Sequence, residues 1–438
     1  MKRPLDWPLL HGPVPFAVSA AAIAALGLLL YGAARRRAGW ALVACGVAAT
    51  LALTGGYVVD RVWRPFPDAL PTMVLVWAGL GLAGVALAAL WWPGRGWVRR
   101  LLAVAAALVA LAGCASEINA MFGQYDSLRA ALGMRPSDMI SVVDATVAAP
   151  AVVTPAPGRG LVAVWRRPSQ LGLHGRLMNT PIPGARSGFA ARPAWIYLPP
   201  AYLSVPRAQL PVLILISGQP GTPRDWLDGG HVEAVMNEFA RLHDGLAPIV
   251  VMPDGLGSVM ANPLCMDSKL GNVETYLADD VPDWVRTHLG VDPDPRHWVV
   301  GGYSYGGTCA LQLGVRRPDR YPTFLDISGQ AEPTLGDRKG TVAAAFGGDA
   351  AAFARANPRD IMAARKFSDT LGLIVAGRED AEYGPQQKII RTACEGAGMQ
   401  VRWWELPGGH SWAVWGQGLV VALPTLAARL GLTEEAPR

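Results

Sequence analysis

The chain has 438 residues, of which 51% are apolar and 17% charged, so more than one domain is expected, with an apolar excess concentrated in one of them. The formal net charge of +5 does not point to nucleic acid, because the arginines cluster between apolar stretches instead of lining a face with interleaved aromatics. Five cysteines (Cys45, Cys114, Cys265, Cys309, Cys394) show no CxxC pairing and no histidine at zinc-ligand spacing, which argues against a metal and leaves no cofactor to expect.

In chain order, four apolar stretches come first: Val14 to Ala34, Ala41 to Val59, Leu70 to Trp92 and Leu101 to Ala115. A bilayer core takes about 20 helical residues, so three are long enough and the fourth is marginal. None contains Asp, Glu, Lys, Arg or His, whereas transport pathways place ionisable groups at membrane depth, so an anchor is expected here. Arg35, Arg36 and Arg37 separate the first two stretches, Arg95, Arg99 and Arg100 the last two. Lys and Arg near helix ends favour the cytoplasmic side, which puts everything after Ala115 outside. The loop "DRVWRPFPD" is balanced by Asp60, Asp68, Arg61 and Arg64, while Lys2 and Arg3 pull the other way. A cleaved signal peptide competes for the first stretch, but arginines directly after it and three further spans disfavour that reading.

The expected organisation is a transmembrane domain over 1–118, a linker over 119–160 and a catalytic domain over 161–438. "YDSLRAALGM" reads as a short helix and "AAPAVVTPAPGRG" as proline-punctuated linker. From Leu161 onward, short apolar runs alternate with helical stretches. "LVAVWRR" and "RPAWIYLPP" read as early strands, followed by "LPVLILISG", "APIVVMPDG", "HWVVGGYS", "PTFLDISG", "LGLIVAGRED" and "MQVRWWELPGG". Helix candidates lie between them, including "GHVEAVMNEFARLHD", "GTCALQLGVRRP" and "PQQKIIRTACEGAG". Continuously apolar strands alternating with helices call for an α/β fold with a mostly parallel sheet covered on both faces. Its chemistry belongs at the carboxyl ends of the strands.

Gly302, Tyr303, Ser304, Tyr305 and Gly306 form G-x-S-x-G between a strand and a helix. That is the context in which a strained turn exposes a nucleophilic serine. The serine needs a base, and of the seven histidines (His11, His174, His231, His243, His288, His297, His410) only His410 lies downstream of Ser304. This is the chain order nucleophile, acid, histidine. The acid belongs at the end of the intervening strand, where "GREDAEYG" offers Glu379, Asp380 and Glu382. Asp380 is favoured and Glu379 is its main rival. Backbone donors for a developing oxyanion, worth roughly 3 kcal/mol each, are expected from Tyr305 and Gln219.

The region from about Arg192 to Leu430 resembles the esterase D and mycolyltransferase branch of the α/β-hydrolases. The resemblance rests on "ISGQPGTPRDW" as the oxyanion loop, "GNVETYLADDVPDWV" before the elbow strand, "GYSYGG" itself and "GGHSWAVWG". It implies Ser304 as nucleophile, His410 as base, and Gln219 and Tyr305 as oxyanion donors. Mycolyltransferases take their glutamate from a different place, while "GRED" matches the general hydrolase position.

These readings combine into an expected membrane-anchored, extracytoplasmic serine esterase or acyltransferase working on envelope lipids through an acyl-enzyme. A receptor or scaffold with a hydrolase-like ligand-binding domain is the alternative from another class, and a transport unit regulated by the hydrolase domain is a third. Outside the cytoplasm Cys265, Cys309 and Cys394 are candidates for pairing, with a Cys265–Cys309 disulfide set against buried free thiols. Trp403, Trp404, Trp412 and Trp415 crowd the sequence around His410, either as core or as an apolar acyl groove.

Overall fold

The computed structural model describes residues 4–65, 69–91, 96–134, 136, 139–155 and 159–434. Lys2, Arg3, Asp68, Trp92, Arg95 and the side chain of Arg36, all used above, fall outside the described residues. The chain divides into two compact units, Met1–Met134 and Arg135–Arg438.

The first unit is helical. Helix α1 (Pro13–Tyr57) is broken at Arg37, whose φ of −150° and ψ of 56° leave the helical region, so the arginine cluster marks the break between two helical segments. Helices α2 (Thr72–Leu90) and α3 (Trp97–Phe122) follow. Among the described residues four segments are long and apolar enough to cross a membrane: Pro13–Arg35, Arg37–Trp63, Thr72–Leu90 and Trp97–Phe122. The last is 26 residues long and so not marginal: the helix runs past the apolar stretch at both ends, taking in Arg99, Arg100 and Glu117. Small residues line the buried seams, among them Ala103, Ala110 and Gly113 of α3. Such small side chains let neighbouring helices approach closely. The Trp91 indole N–H donates to the Leu29 carbonyl at 3.0 Å, and the Ser19 hydroxyl donates to the Glu117 carboxylate.

The second unit is built on an eight-stranded sheet. Its strands are β1 (Arg176–Thr180), β2 (Ala194–Leu198), β3 (Val212–Ile216), β4 (Ile249–Met252), β5 (Trp298–Tyr303), β6 (Thr323–Ile327), β7 (Leu371–Gly377) and β8 (Gln400–Leu406). They lie in the order β8-β7-β6-β5-β3-β4-β2-β1. Neighbours from β4 to β8 pair in parallel, while β2 runs antiparallel to both β1 and β4. Every residue of β3, β5, β6 and β7 is buried, as a sheet covered on both faces requires. Helices α4 (Val232–Leu242), α5 (Val281–Leu289), α6 (Tyr305–Arg316), α7 (Tyr383–Gly396) and α8 (Trp412–Arg429) accompany it.

One expected strand is absent. "LVAVWRR" forms a short 3-10 turn over Leu161–Ala163, and the buried residues are Leu161 and Trp165, four apart. The Trp165 N–H bonds back to the Leu161 carbonyl at 2.9 Å, so the apolar spacing there is one helical turn and not the two-residue alternation of a strand. The first strand of the sheet is instead "RLMNT", whose apolar Leu177 and Met178 are both fully buried between polar residues.

Candidate active site

Register fixes the geometry of the site. Tyr303 pairs with Ile327 and Ile327 with Val375, so β5 and β6 end together and β7 runs on beside them to Gly377. Ser304 follows Tyr303 there and caps the start of α6 with φ 54° and ψ −121°. A non-glycine residue in that region costs of order 1–3 kcal/mol and persists only where its surroundings enforce it. The enforcement is visible: the Ser304 N–H donates to the Ile327 carbonyl at 2.8 Å. A Cβ on Gly306 would also run into the carbonyl oxygen of Ile216, and one on Gly302 into the backbone of Gly306. The G-x-S-x-G pattern is therefore what lets β5 turn into α6 so sharply beside β3.

His410 sits in the "PGGHSW" loop between β8 and α8. Its Nε2 lies 2.9 Å from Ser304 Oγ and its Nδ1 lies 2.9 Å from Asp380 Oδ2. Asp380 is 5% exposed, and its other oxygen accepts the Tyr383 N–H at 2.9 Å. Glu379 turns away, its carboxylate accepting the Gly408 N–H, and Glu382 accepts from Gln386. The structure thus brings Ser304, His410 and Asp380 into one hydrogen-bonded line and leaves Glu379 and Glu382 outside it.

Tyr305 is the first residue of α6. Its buried phenol donates to the Gly255 carbonyl at 3.0 Å. The loop after β3 comes close to the serine: a Cβ on Gly218 would stand 3.2 Å from Ser304 Cβ, and Gln219 is the next residue. That loop is held from outside, where Arg192 donates to the Gly221 carbonyl at 3.0 Å while forming a salt bridge with the fully buried Asp254 at 2.6 Å. Among the described residues no group of three His, Cys, Asp or Glu is placed to hold a metal ion.

Two supports escaped the sequence reading. The Tyr383 ring stacks on the His410 imidazole at 3.9 Å between centroids and 15° between planes, and the only available signal was its position three residues after Asp380. The Arg192–Asp254 pair spans 62 residues, and nothing local announces it. Trp412 and Trp415 are 5% and 7% exposed and pack with Tyr303, as core residues do. Trp403 and Trp404 lie half-buried on the edge strand β8.

Asp326 in β6 lies beneath the elbow, accepting the Gly329 N–H at 3.0 Å and the Gln387 amide at 3.1 Å. Burial raises its carboxyl to about 7, against an unfolded value near 3.9. Between about pH 4 and pH 7 the folded protein binds a proton that the unfolded chain does not, so this group's contribution to stability falls as pH rises through that window. The slope is about 1.4 kcal/mol per unit. Asp326→Asn is expected to gain stability relative to the parent between pH 4.5 and pH 7.5; parallel pH profiles of thermal unfolding would exclude this role.

The strand order, the single reversed strand β2 and the serine elbow after β5 define an α/β-hydrolase. Residues 190–426 match the family described as "Putative esterase", and the chain belongs to that esterase family. It is 35% identical over 430 residues to an uncharacterised protein of Corynebacterium glutamicum, covering 96% of this chain and 95% of that one. It is 37% identical over 78 residues to the MPT51 antigen of Mycobacterium leprae, 17% of this chain and 25% of that protein. An S-formylglutathione hydrolase from Agrobacterium tumefaciens shares the fold with a TM-score of 0.50 at 18% identity, covering 59% of this chain and 97% of that one.

Proposed function

We propose that this esterase is a membrane-anchored extracytoplasmic serine hydrolase that cleaves, or transfers, acyl groups of carboxylic esters, with cell-envelope lipids as the substrate class. The observation that carries the catalytic reading is the continuous line from Ser304 Oγ through His410 to Asp380, with both contacts at 2.9 Å. In this mechanism His410 Nε2 takes the Ser304 proton as Oγ attacks the ester carbonyl. Asp380 accepts the Nδ1–H, holds the tautomer and stabilises the imidazolium. The N–H groups of Tyr305 and Gln219 receive the oxyanion. The tetrahedral adduct collapses to an acyl-enzyme as His410 gives its proton to the departing alkoxide. Water or another hydroxyl then attacks, with His410 again as base.

Residues 1–118 serve as the anchor, 119–160 as the linker and 161–438 as the catalytic domain. Four spans of sufficient length support the anchor. The outward placement is supported by arginines at the α1 break and at the start of α3, and by the Cys265–Cys309 disulfide, a bond that persists in oxidising compartments. The test is turnover of esters with graded acyl length by the full chain in detergent and in vesicles, beside a carboxyl-terminal alkaline phosphatase fusion in a bacterial host. Hydrolysis that rises with acyl length and an active fusion are expected. An inactive fusion defeats the outward placement, and hydrolysis indifferent to acyl length defeats the lipid class.

A further inference from the structure

The loop over 253–266, between β4 and the segment leading to α5, touches both halves of the oxyanion hole assigned above. On one side it receives the loop after β3: the Gly221 N–H donates to the Val259 carbonyl at 3.1 Å, and the Gln219 side-chain amide donates to the Met260 carbonyl at 2.9 Å. On the other side it is fastened to α6. Tyr305 donates to the Gly255 carbonyl at 3.0 Å, and Gln312 donates to the Leu264 carbonyl at 2.9 Å. Cys265 is disulfide-bonded to Cys309, five residues beyond the nucleophile, with the Cα atoms 5.4 Å apart. Leu264 and Cys265 are consecutive left-handed residues with φ 64° and 53°, a conformation non-glycine chain leaves unless something holds it.

We propose that the Cys265–Cys309 disulfide is a positioning element for the oxyanion hole. It ties this strap to the nucleophile helix, and the strap in turn sets the distance of the Gln219 N–H from the carbonyl that Ser304 attacks. The proposal rests on the catalytic reading above. The cysteines touch no substrate; they act through Met260 and Val259 on the loop that does. Because the bond joins the donor on α6 to the donor after β3 through a single short segment, its loss lets one donor drift relative to the other. Transition-state stabilisation then falls while substrate binding does not.

The experiment compares kcat and KM for an activated ester in the full chain, in Cys265→Ala/Cys309→Ala, in Gln219→Ala and in the triple variant, with thermal unfolding and fluorophosphonate labelling of each. The double cysteine variant is expected to lose about tenfold in kcat, a fraction of the roughly hundredfold that a 1 Å misplacement can cost, with KM within about twofold. Gln219→Ala, which keeps the backbone N–H but cuts the Met260 tether, is expected to lower kcat in the intact chain and to add little in the cysteine-free one. A folded double variant with parental kcat overturns the proposal, as does full additivity of the two changes. If the double variant does not fold, unchanged kcat in Gln219→Ala overturns it and a selective fall in kcat supports it. Absence of Ser304 labelling in the parent chain is a different result: it defeats the catalytic reading, and this proposal with it.

Discussion

Ser304→Ala is expected to abolish fluorophosphonate labelling and to reduce kcat on an activated ester by about 10⁵- to 10⁶-fold, the scale seen when a triad nucleophile is removed. The substitution removes one oxygen from a residue whose N–H remains bonded to Ile327 and whose backbone stays compatible with α6, so the fold should survive. What is lost is the atom 2.9 Å from His410 Nε2, and with it the covalent route. Residual activity should reflect the oxyanion donors and substrate binding alone, about 10³- to 10⁴-fold above water. Ser411→Ala provides the control, since Ser411 is the neighbour of His410 in the same loop and would be the alternative labelled residue. Its kcat is expected to stay within about threefold of the parent. Intact-protein mass after labelling reads both outcomes, and a probe adduct retained by Ser304→Ala would reject Ser304 as the nucleophile.

The features of this protein that could be read from sequence are those in which chemistry and backbone are local to each other. The elbow is the clearest case. Gly302 and Gly306 are needed because the next turn of the chain and the end of β3 fill the space of a side chain, and that need is written in five consecutive residues. His410 was reachable by elimination, because only one histidine follows the serine. The buried strands β3, β5 and β7 announce themselves as unbroken apolar runs, and β6 as a shorter one interrupted by Asp326. Features that join distant segments leave no such trace. Arg192 and Asp254 meet across 62 residues, and the stacking of Tyr383 on His410 depends on how α7 begins. "LVAVWRR" misled for another reason: a short run that is apolar from Leu161 through Trp165 fits a strand and a helical turn equally, and only the burial of Leu161 and Trp165 separates them.

The choice between Glu379 and Asp380 turns on a single backbone step, and it yields the second large effect. After Gly377 the chain is still tied to β8: the Arg378 N–H bonds to the Leu406 carbonyl at 2.8 Å and the Glu379 N–H to the Gly408 carbonyl at 3.1 Å. Glu379 is thereby held against the His410 loop with its carboxylate on Gly408, while the turn closed by the Asp380 N–H on Gly377 swings the next side chain under the imidazole. A strand end displaced by one residue would exchange the two roles, which is why the sequence left both open. Asp380→Asn keeps the size and the acceptor for Tyr383, but it places an amide where a carboxylate accepted the His410 Nδ1–H. The imidazole then loses both its correct tautomer and the stabilisation of its protonated form. The expected loss in kcat is about 10⁴-fold, with Ser304 still in place. Glu379→Gln retains an oxygen to accept from Gly408 and is expected to stay within about threefold of the parent. Steady-state kinetics on the two variants side by side distinguishes them, and a large loss in Glu379→Gln with little in Asp380→Asn would move the acid one residue back along the chain.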